Sequence, residues 1–398
     1  MTTPASPNSI SFTQITNEFG GLKTNSNQTG IDLGAYRVLE TINGIDYRLD
    51  EGVPFIGQIS FDDLRNKSLN VVVDINGGTR VWGRDPWNSN NTIVIGGGTR
   101  KEGGSRIIIH VRGTVQSERG THPIGNSGSG NRWSAALRTG TWTNIVSLDV
   151  IVGPGNNNGH IRGGGGNGGN GGTSNGNDEN DEQADGADGH HGTSALGLNH
   201  NIRNLEVKSG STIIAGGGGG AGGGGAGGEL SGDSSDERAG GGGGGGGMGT
   251  PVGLGGAGGG NNGGVERVAE NGFSGTATNG GNGGHSGINN EGGGGESADG
   301  GGGGGGGGIN KGEGGTAEEG AENGNDGDEM DNNAPTVDPN RGRGGDGGHA
   351  DAEGTGQQTG DGGEGGGFGA AILRGGYNIN SISGNNRIYG NQRNTTPT

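Results

Sequence analysis

The side chains best suited to chemistry are His190 and His191, which follow shortly after Asp185 and Asp188. Imidazole and carboxylate donors so close together suggest a metal site, yet four ligands at a diagnostic spacing are absent. Acidic clusters at 178–182 and 326–331 offer oxygen donors for Ca²⁺, but neither fits the ligand spacing of an EF-hand loop. Solvated acidic loops are the simpler reading of both. Gly-x-Gly-x-x-Gly recurs, but among 111 glycines in 398 residues it carries no information. A phosphate-cradling Gly-Lys-Ser/Thr is missing, since Lys311 is followed by Gly312. The chain has no cysteine, which removes disulfides, thiolate ligands and thiol nucleophiles. No nucleophile, base and orienting group can be assembled. The expectation is a binding or structural protein, not an enzyme, with no cofactor and no motif behind Ca²⁺.

Any functional side chain must therefore be positioned by the glycines. The first 150 residues carry 21 of them and the remaining 248 carry 90, with the break near Gly153. Only 24% of residues are hydrophobic, and a body so poor in apolar side chains would normally stay disordered. The tracts, however, have a period of three. Asn167, Asn170 and Thr173 are three apart, as are Asn279, Asn282 and His285; Arg343, Asp346 and His349; and Asp361 and Glu364. A left-handed helix with three residues per turn puts every third residue on one stripe. Other tracts are nearly bare, 240–247 and 300–308, while the stretch "GGGGGAGGGGAGG" at 216–228 is intermediate, with Ala221 and Ala226 on two faces and the third face pure glycine. The fold expected for 153–398 is a polyglycine II bundle or sandwich with short β-elements and very little α-helix. Bare rods would lie inside, and Gly-Gly-x rods outside with x toward water. Collagen is excluded by the spacing and by only 10 prolines.

Residues 69–152 hold "SLNVVVDI", "TIVIGG", "SRIIIHVRGTV" and "TNIVSLDVIVG" between Gly and Asn turns, and are expected to form an antiparallel β module. Trp82, Trp87, Trp133 and Trp142 fall here and suit its core. An internal repeat, Asn-Ile-x-x-Leu/Ile, starts at Asn144, Asn201 and Asn378, and reads as β-elements that pin the rods. Residues 1–68 carry "ISFTQITN" at Ile10 and "ISFDDLRN" at Ile59. Ser11 with Gln14, and Ser60 with Asp63, sit at capping-box spacing. Such short segments suit docking against a partner, with Ile10, Phe12, Ile59 and Phe61 as the contact residues.

The formal net charge of −18 argues against tracking nucleic-acid phosphates. No apolar run is long enough to span a membrane, and the opening residues lack the features of a signal peptide. Acidic connections at 174–192 and 309–340 exceed the usual connection length of about 4–6 residues. Loops at the end of a rigid scaffold commonly carry recognition. The receptor-contact candidates are Asp178, Glu179, His190, His191, Phe273, Glu329 and Asp331.

"ISFTQITNEFGG" and "ISFDDLRN" resemble segments at the start of tail-fibre and structural proteins of marine cyanobacterial myophages. The glycine-rich body resembles the polyglycine-sandwich adhesins at the long-fibre tips of T-even-like phages. The resemblance implies a virion tail protein made in the host cytoplasm, attached by its N-terminus to other tail, baseplate or fibre proteins. It further implies loops that bind a bacterial outer-membrane protein or polysaccharide, and either a trimer or a single copy on a trimeric fibre. Residues 71–152 do not match the attachment domain of those adhesins. A purely structural tail component and an ice-binding polyglycine protein are the alternatives. Ice binding favours Thr or Ala on a flat stripe, whereas the x positions here are Asn, His, Asp, Glu and Arg.

Overall fold

The computed structural model describes residues 9–11, 13–15, 41–42, 45–46, 48–49, 58–67, 69–82, 94–95, 99–100, 106–121, 133–153, 158–173, 185–229, 236–260, 267–289, 298–317, 320–330, 343–352 and 355–397. Alternating apolar residues build short strands, as expected, and the regular structure is almost entirely β with very little helix. The main pairing is parallel, with antiparallel pairs where Arg48–Leu49 joins Leu69–Ile75 and where Val94–Ile95 meets Thr99–Arg100. Three parallel sheets each take one strand from each of five successive coils. Coil 1 contributes Leu69–Ile75, Gly78–Thr79 and Val81–Trp82; coil 2 Arg106–Val111, Thr114–Gln116 and Ala135–Arg138; and coil 3 Ser147–Val152, His160–Arg162 and Ser194–Gly197. Coil 4 contributes Ile202–Val207, Thr212–Ile214 and Ile372–Leu373, and coil 5 Ile379–Ser383, Ile388–Tyr389 and Gln392–Arg393. The body is a three-sided parallel β-helix.

Its core is made of ladders of like residues. Val73, Ile109, Val150, Leu205 and Ile382 stack in register on the first face. Val115, Ile161, Ile213 and Ile388 stack on the second, and Val81, Leu137, Leu196 and Ile372 on the third. Most are fully buried, and each buried aliphatic contributes about 1.5–3 kcal/mol. Coil corners need residues without bulk: a methyl on Gly113 would overlap the carbonyl of Asn76 one coil earlier. Period-two alternation is the same for parallel and antiparallel strands, so the expected antiparallel module becomes a parallel one at no cost to the pattern. The repeat beginning at Asn201 and Asn378 is the coil repeat itself, since Ile202 pairs with Ile379 and Leu205 with Ile382. The copy at Asn144 is slipped by two, with Val150 rather than Leu148 opposite Leu205. An even slip keeps the same side chains facing inward.

Residues 10–11, 13–15 and 58–65 bring side chains to this core. Ile15 and Leu64 are fully buried in it, and Ile10 and Ile59 pack against it. Both capping boxes form: Ser11 N–H donates to Gln14 Oε1 at 2.8 Å, and Ser60 N–H donates to Asp63 Oδ2 at 2.7 Å. Trp142 is buried, with Nε1 donating to the Thr139 carbonyl at 2.9 Å. Trp133 packs beside Ala135, Ala370 and Leu373, with the Arg393 guanidinium 5.4 Å above its ring. Trp82 falls in a coil-1 strand, and Trp87 lies outside the described residues.

The body is not confined to 69–152. The glycine tracts are excursions from one corner of the β-helix, between its second and third faces. Coil 3 sends out 163–193 and coil 4 sends out 215–371. Among the described residues they form twelve rods: rod 1 (163–173), rod 2 (185–193), rod 3 (215–225), rod 4 (240–249), rod 5 (251–260), rod 6 (269–276), rod 7 (279–287), rod 8 (300–308), rod 9 (310–317), rod 10 (322–330), rod 11 (343–350) and rod 12 (360–370).

Rod 3 shows how they cohere. Its N–H groups at 216, 219 and 222 donate to rod 2, those at 217, 220 and 223 to rod 4, and those at 221 and 224 to rod 11. Its carbonyls accept from rods 1, 8 and 12. Three successive residues thus address three directions, the geometry expected of polyglycine II, whose peptide groups have no partner within the rod. Rods 4 and 8 are likewise bonded to six neighbours each. Rods 3, 4 and 8 also bond to one another, forming a central triangle inside a ring that runs 1, 2, 12, 11, 10, 9, 7, 6, 5. The central three are the two bare tracts and the intermediate stretch that begins at Gly216, because a longer side chain would separate the backbones. A methyl on Gly244, in rod 4, would overlap the carbonyls of Gly220 and Ala221 in rod 3. Ala221 is nonetheless fully buried, so the lattice admits a methyl at that position.

Candidate functional site

The x residues do more than face water. A ring rod has outward N–H groups with no rod beyond them, and a side chain of the neighbouring ring rod supplies the acceptor. Asn167, Asn170 and Thr173 on rod 1 accept from the N–H groups of Leu254, Ala257 and Gly260 at 3.0, 2.9 and 3.1 Å. Asn282 and His285 on rod 7 accept from Glu313 and Thr316 at 3.1 and 3.0 Å. Asp185, Asp188 and His191 on rod 2 accept from Asp361, Glu364 and Gly367, each at 2.8 Å. Short side chains carrying an acceptor fit this role, which explains Asn, Asp, Thr and His at every third place.

These bonds place the proposed metal ligands. Asp185, Asp188 and His191 lie along one rod as backbone acceptors, and their spacing follows the rod repeat. Among the described residues no group of three or more His, Asp or Glu side chains could hold a metal ion. Asp326 accepts from the Gly314 N–H at 3.0 Å and pairs with Lys311 Nζ at 3.0 Å. The Gly314 N–H, then Lys311, holds the Asp326 carboxyl below its usual range, while Asp326 raises the Lys311 ammonium.

Consecutive rods alternate in direction, up from the β-helix and down to it, through all twelve. The connections therefore sort into two ends. The distal end receives those between residues 173 and 185, 225 and 240, 260 and 267, 287 and 300, 317 and 320, and 350 and 360. Here Ala226–Glu229 pairs antiparallel with Asp236–Ala239 and with Thr355–Thr359. Ala298–Asp299 pairs with Ile288–Asn289 and with Asp351–Ala352. The two small sheets touch, and Ala226, Ala239, Ala298 and Ala350 form a cluster there. Asp299 is buried beside it. In sequence these distal connections are strongly acidic. The proximal end is apolar instead: Met248, Met330 and Phe368 are buried in the core they share with the β-helix, and Ile309 packs against it.

The candidate contact residues do not share one end. Asp178 and Glu179 fall in a distal connection, outside the described residues. His190 and His191 lie on rod 2 toward the β-helix, where His190 N–H donates to the Asn167 carbonyl at 2.8 Å. Glu329 is exposed at the proximal end, bridged to Gly308, and Asp331 lies outside the described residues. Phe273 is 61% exposed on the flank of rod 6. The long segment 309–340 thus does not gather at the tip: it holds rods 9 and 10, and the connection following rod 10 is proximal. The tip strands at 226–229, 236–239, 288–289, 298–299, 351–352 and 355–359 were missed because "AGGE" and "TGQQT" lack any apolar alternation. Of the N-terminal candidates, Ile10 and Ile59 serve the chain's own core, Phe61 is 36% exposed, and Phe12 lies outside the described residues.

No family model matches the chain, and no curated protein sequence matches it. Among solved structures it is similar to the gp37–gp38 adhesin tip complex of the bacteriophage S16 long tail fibre. That similarity has 18% identity and a TM-score of 0.25, covering 59% of this chain and 73% of that one. No helix among the described residues is long and apolar enough to cross a membrane.

Proposed function

We propose that this chain is a bacteriophage tail-fibre or tail-tip adhesin that acts by binding rather than catalysis. The observation that carries the reading is the sorting of connections. A core of backbone hydrogen bonds holds one end of the bundle against a β-helix and leaves the other end to loops and two small sheets. A rigid stalk that ends in variable-length polar connections is a scaffold for recognition. The N-terminal resemblance to phage tail proteins supplies the context: the β-helix end attaches to other tail or fibre proteins of the virion, and the distal end meets a bacterial outer-membrane protein or polysaccharide.

The test is competition. Purified protein added to susceptible cells should bind them and block adsorption of the parent phage in a dose-dependent way. Protein that neither binds cells nor slows adsorption would leave a purely structural tail component as the better account.

A further inference from the structure

The ring has two chemically different halves. Rods 2, 12, 11, 10 and 9 each carry at least one carboxylate, among them Asp185, Asp188, Asp361, Glu364, Asp346 and Asp326. Rods 1, 5, 6 and 7 carry one, Glu270, which faces His285 of rod 7 at 4.0 Å. The near-neutral half is also where apolar side chains stand exposed. Leu254 on rod 5 is 44% exposed, Phe273 on rod 6 is 61% exposed, and Val268 just before rod 6 is 62% exposed. Leu254 and Phe273 lie at one level, because Gly255 packs on the backbone of Gly272 and Phe273.

Amides frame this patch. Asn167 and Asn170 cap rod 5 from one side, and Asn271 caps it from the other by accepting from the Gly258 N–H at 2.9 Å. Each amide commits its oxygen to a backbone N–H, which leaves the NH₂ group to offer donors outward. The flank therefore presents an aromatic ring, aliphatic groups and amide donors, with Glu270 as its one carboxylate among the described residues.

We propose that the flank formed by rods 1, 5 and 6 binds an uncharged glycan laid along the rods. Phe273 stacks on the C–H face of a sugar ring, and the Asn167, Asn170 and Asn271 amides donate to hydroxyls. Aromatic faces beside a few fixed polar groups suit ligands of this mixed character. Charge favours it: on a chain of net charge −18 this is the flank least repulsive to a bacterial surface, and a cation would settle on the other half. Size favours it over a second copy of the chain. Nine residues at about 3.1 Å, on three rods about 4.8 Å apart, give about 400 Å², half the ~800 Å² per partner of a standard protein interface. The site is separate from the distal tip and does not depend on what the tip recognises.

The experiment probes the full chain against immobilised oligosaccharides of neutral hexoses and deoxyhexoses, with a matched set carrying uronic acid or phosphate. Neutral members should bind, and Phe273→Ala and Leu254→Asp should each weaken binding at least about tenfold. Asp361→Asn with Glu364→Gln, on the opposite flank, should leave it unchanged. All these side chains are exposed, and an unchanged melting curve would confirm that each variant folds. Absence of neutral binding, equal binding of the anionic set, or indifference to Phe273→Ala would overturn the proposal. So would concentration-dependent dimerisation abolished by Phe273→Ala, which would make the flank a self-association surface.

Discussion

The side-chain oxygen of Asn170 accepts the backbone N–H of Ala257 at 2.9 Å, and the pairs Asn167–Leu254 and Thr173–Gly260 repeat the same 87-residue separation. Two rods held at constant offset behave as paired strands do, with a side chain standing in where the next backbone is missing. Asn170→Ala removes that acceptor at a site water can reach. We expect a loss of about 0.5–1 kcal/mol, the net value of one hydrogen bond. Asn170→Asp retains an acceptor oxygen and should lose less. Replacing Asn167, Asn170 and Thr173 together by Ala should add the losses, because each caps a different N–H. Denaturant melts of the single and triple variants would check this.

The centre should be far less forgiving. Gly244 in rod 4 faces the carbonyls of Gly220 and Ala221, whereas Asn282 in rod 7 is exposed and its side-chain oxygen accepts the Glu313 N–H. Gly244→Val forces a branched side chain between two backbones, and the bundle can yield only by breaking rod-to-rod hydrogen bonds. The expected cost is at least about 3 kcal/mol, the upper range for an overpacked core. Asn282→Val should cost about 1 kcal/mol for its lost hydrogen bond. Thermal melts with amide exchange on the rods would separate the two, and equal tolerance would contradict the packed triangle.

How much of this was legible in the sequence follows from which physical signal each part emits. The rods announce themselves: a bare tract such as 240–247 beside a Gly-Gly-x tract such as 279–285 encodes inside and outside directly. The use of x as an acceptor was hidden, because its partner lies 31, 87 or 176 residues away. The β-helix was half visible. "NIRNLEV" and "NINSIS" appeared as a repeat, and alternation gave the strands. The direction of pairing did not show, since the rods interrupt coils 3 and 4 and disguise the coil period. Phe273 was visible only as an aromatic, and its neutral surroundings arise from rods distant in sequence.

A buried ion pair in the β-helix offers a third test. Asp149 of coil 3 has a side chain only 6% exposed, and Arg203 of coil 4 grips it through Nε at 2.9 Å and an Nη at 2.6 Å. Removing the arginine strands a carboxylate in a dry site, whereas removing the charge from Asp149 leaves a guanidinium that reaches solvent. Arg203→Ala should therefore destabilise by about 3 kcal/mol, and Asp149→Asn by clearly less. Chemical denaturation of the two variants would show the asymmetry.

Acid should weaken the molecule at two identifiable points. Burial, then Arg162, lowers the His160 imidazole below its ordinary range, and its Nδ1 lies 2.8 Å from Thr212 Oγ1. The folded state thus binds the proton less readily than the unfolded chain. The stability this contributes is full above the ordinary imidazole pKa of 6.5 and is lost as pH falls through the lower folded value. Asp326, also lowered, acts with the same sign at more acidic pH, since its ionised form accepts from Gly314 and Lys311. His160→Gln should flatten the fall in melting temperature just below neutral pH and leave the later fall in place. An unchanged profile would remove His160 as its source.

The last prediction separates the two ends of the bundle. The distal sheets built from 226–229, 236–239, 298–299 and 355–359 lie at the end of the bundle away from the β-helix, where rods 3, 4, 8 and 12 run into their strands. The connection between residues 330 and 343 leaves from the proximal end, next to Met330, which is buried against the β-helix core. If the tip reads the receptor, exchanging 230–235, 290–297 and 353–354 for the matching connections of a related fibre should switch adsorption to that fibre's host. The rods hold themselves by backbone bonds that these exchanges do not touch, so the melting temperature should stay within a few degrees. Exchanging 331–342 in the same way should leave host range unaltered. Adsorption assays on both kinds of particle decide it: a switch from the proximal exchange, or none from the distal one, would move recognition away from the tip.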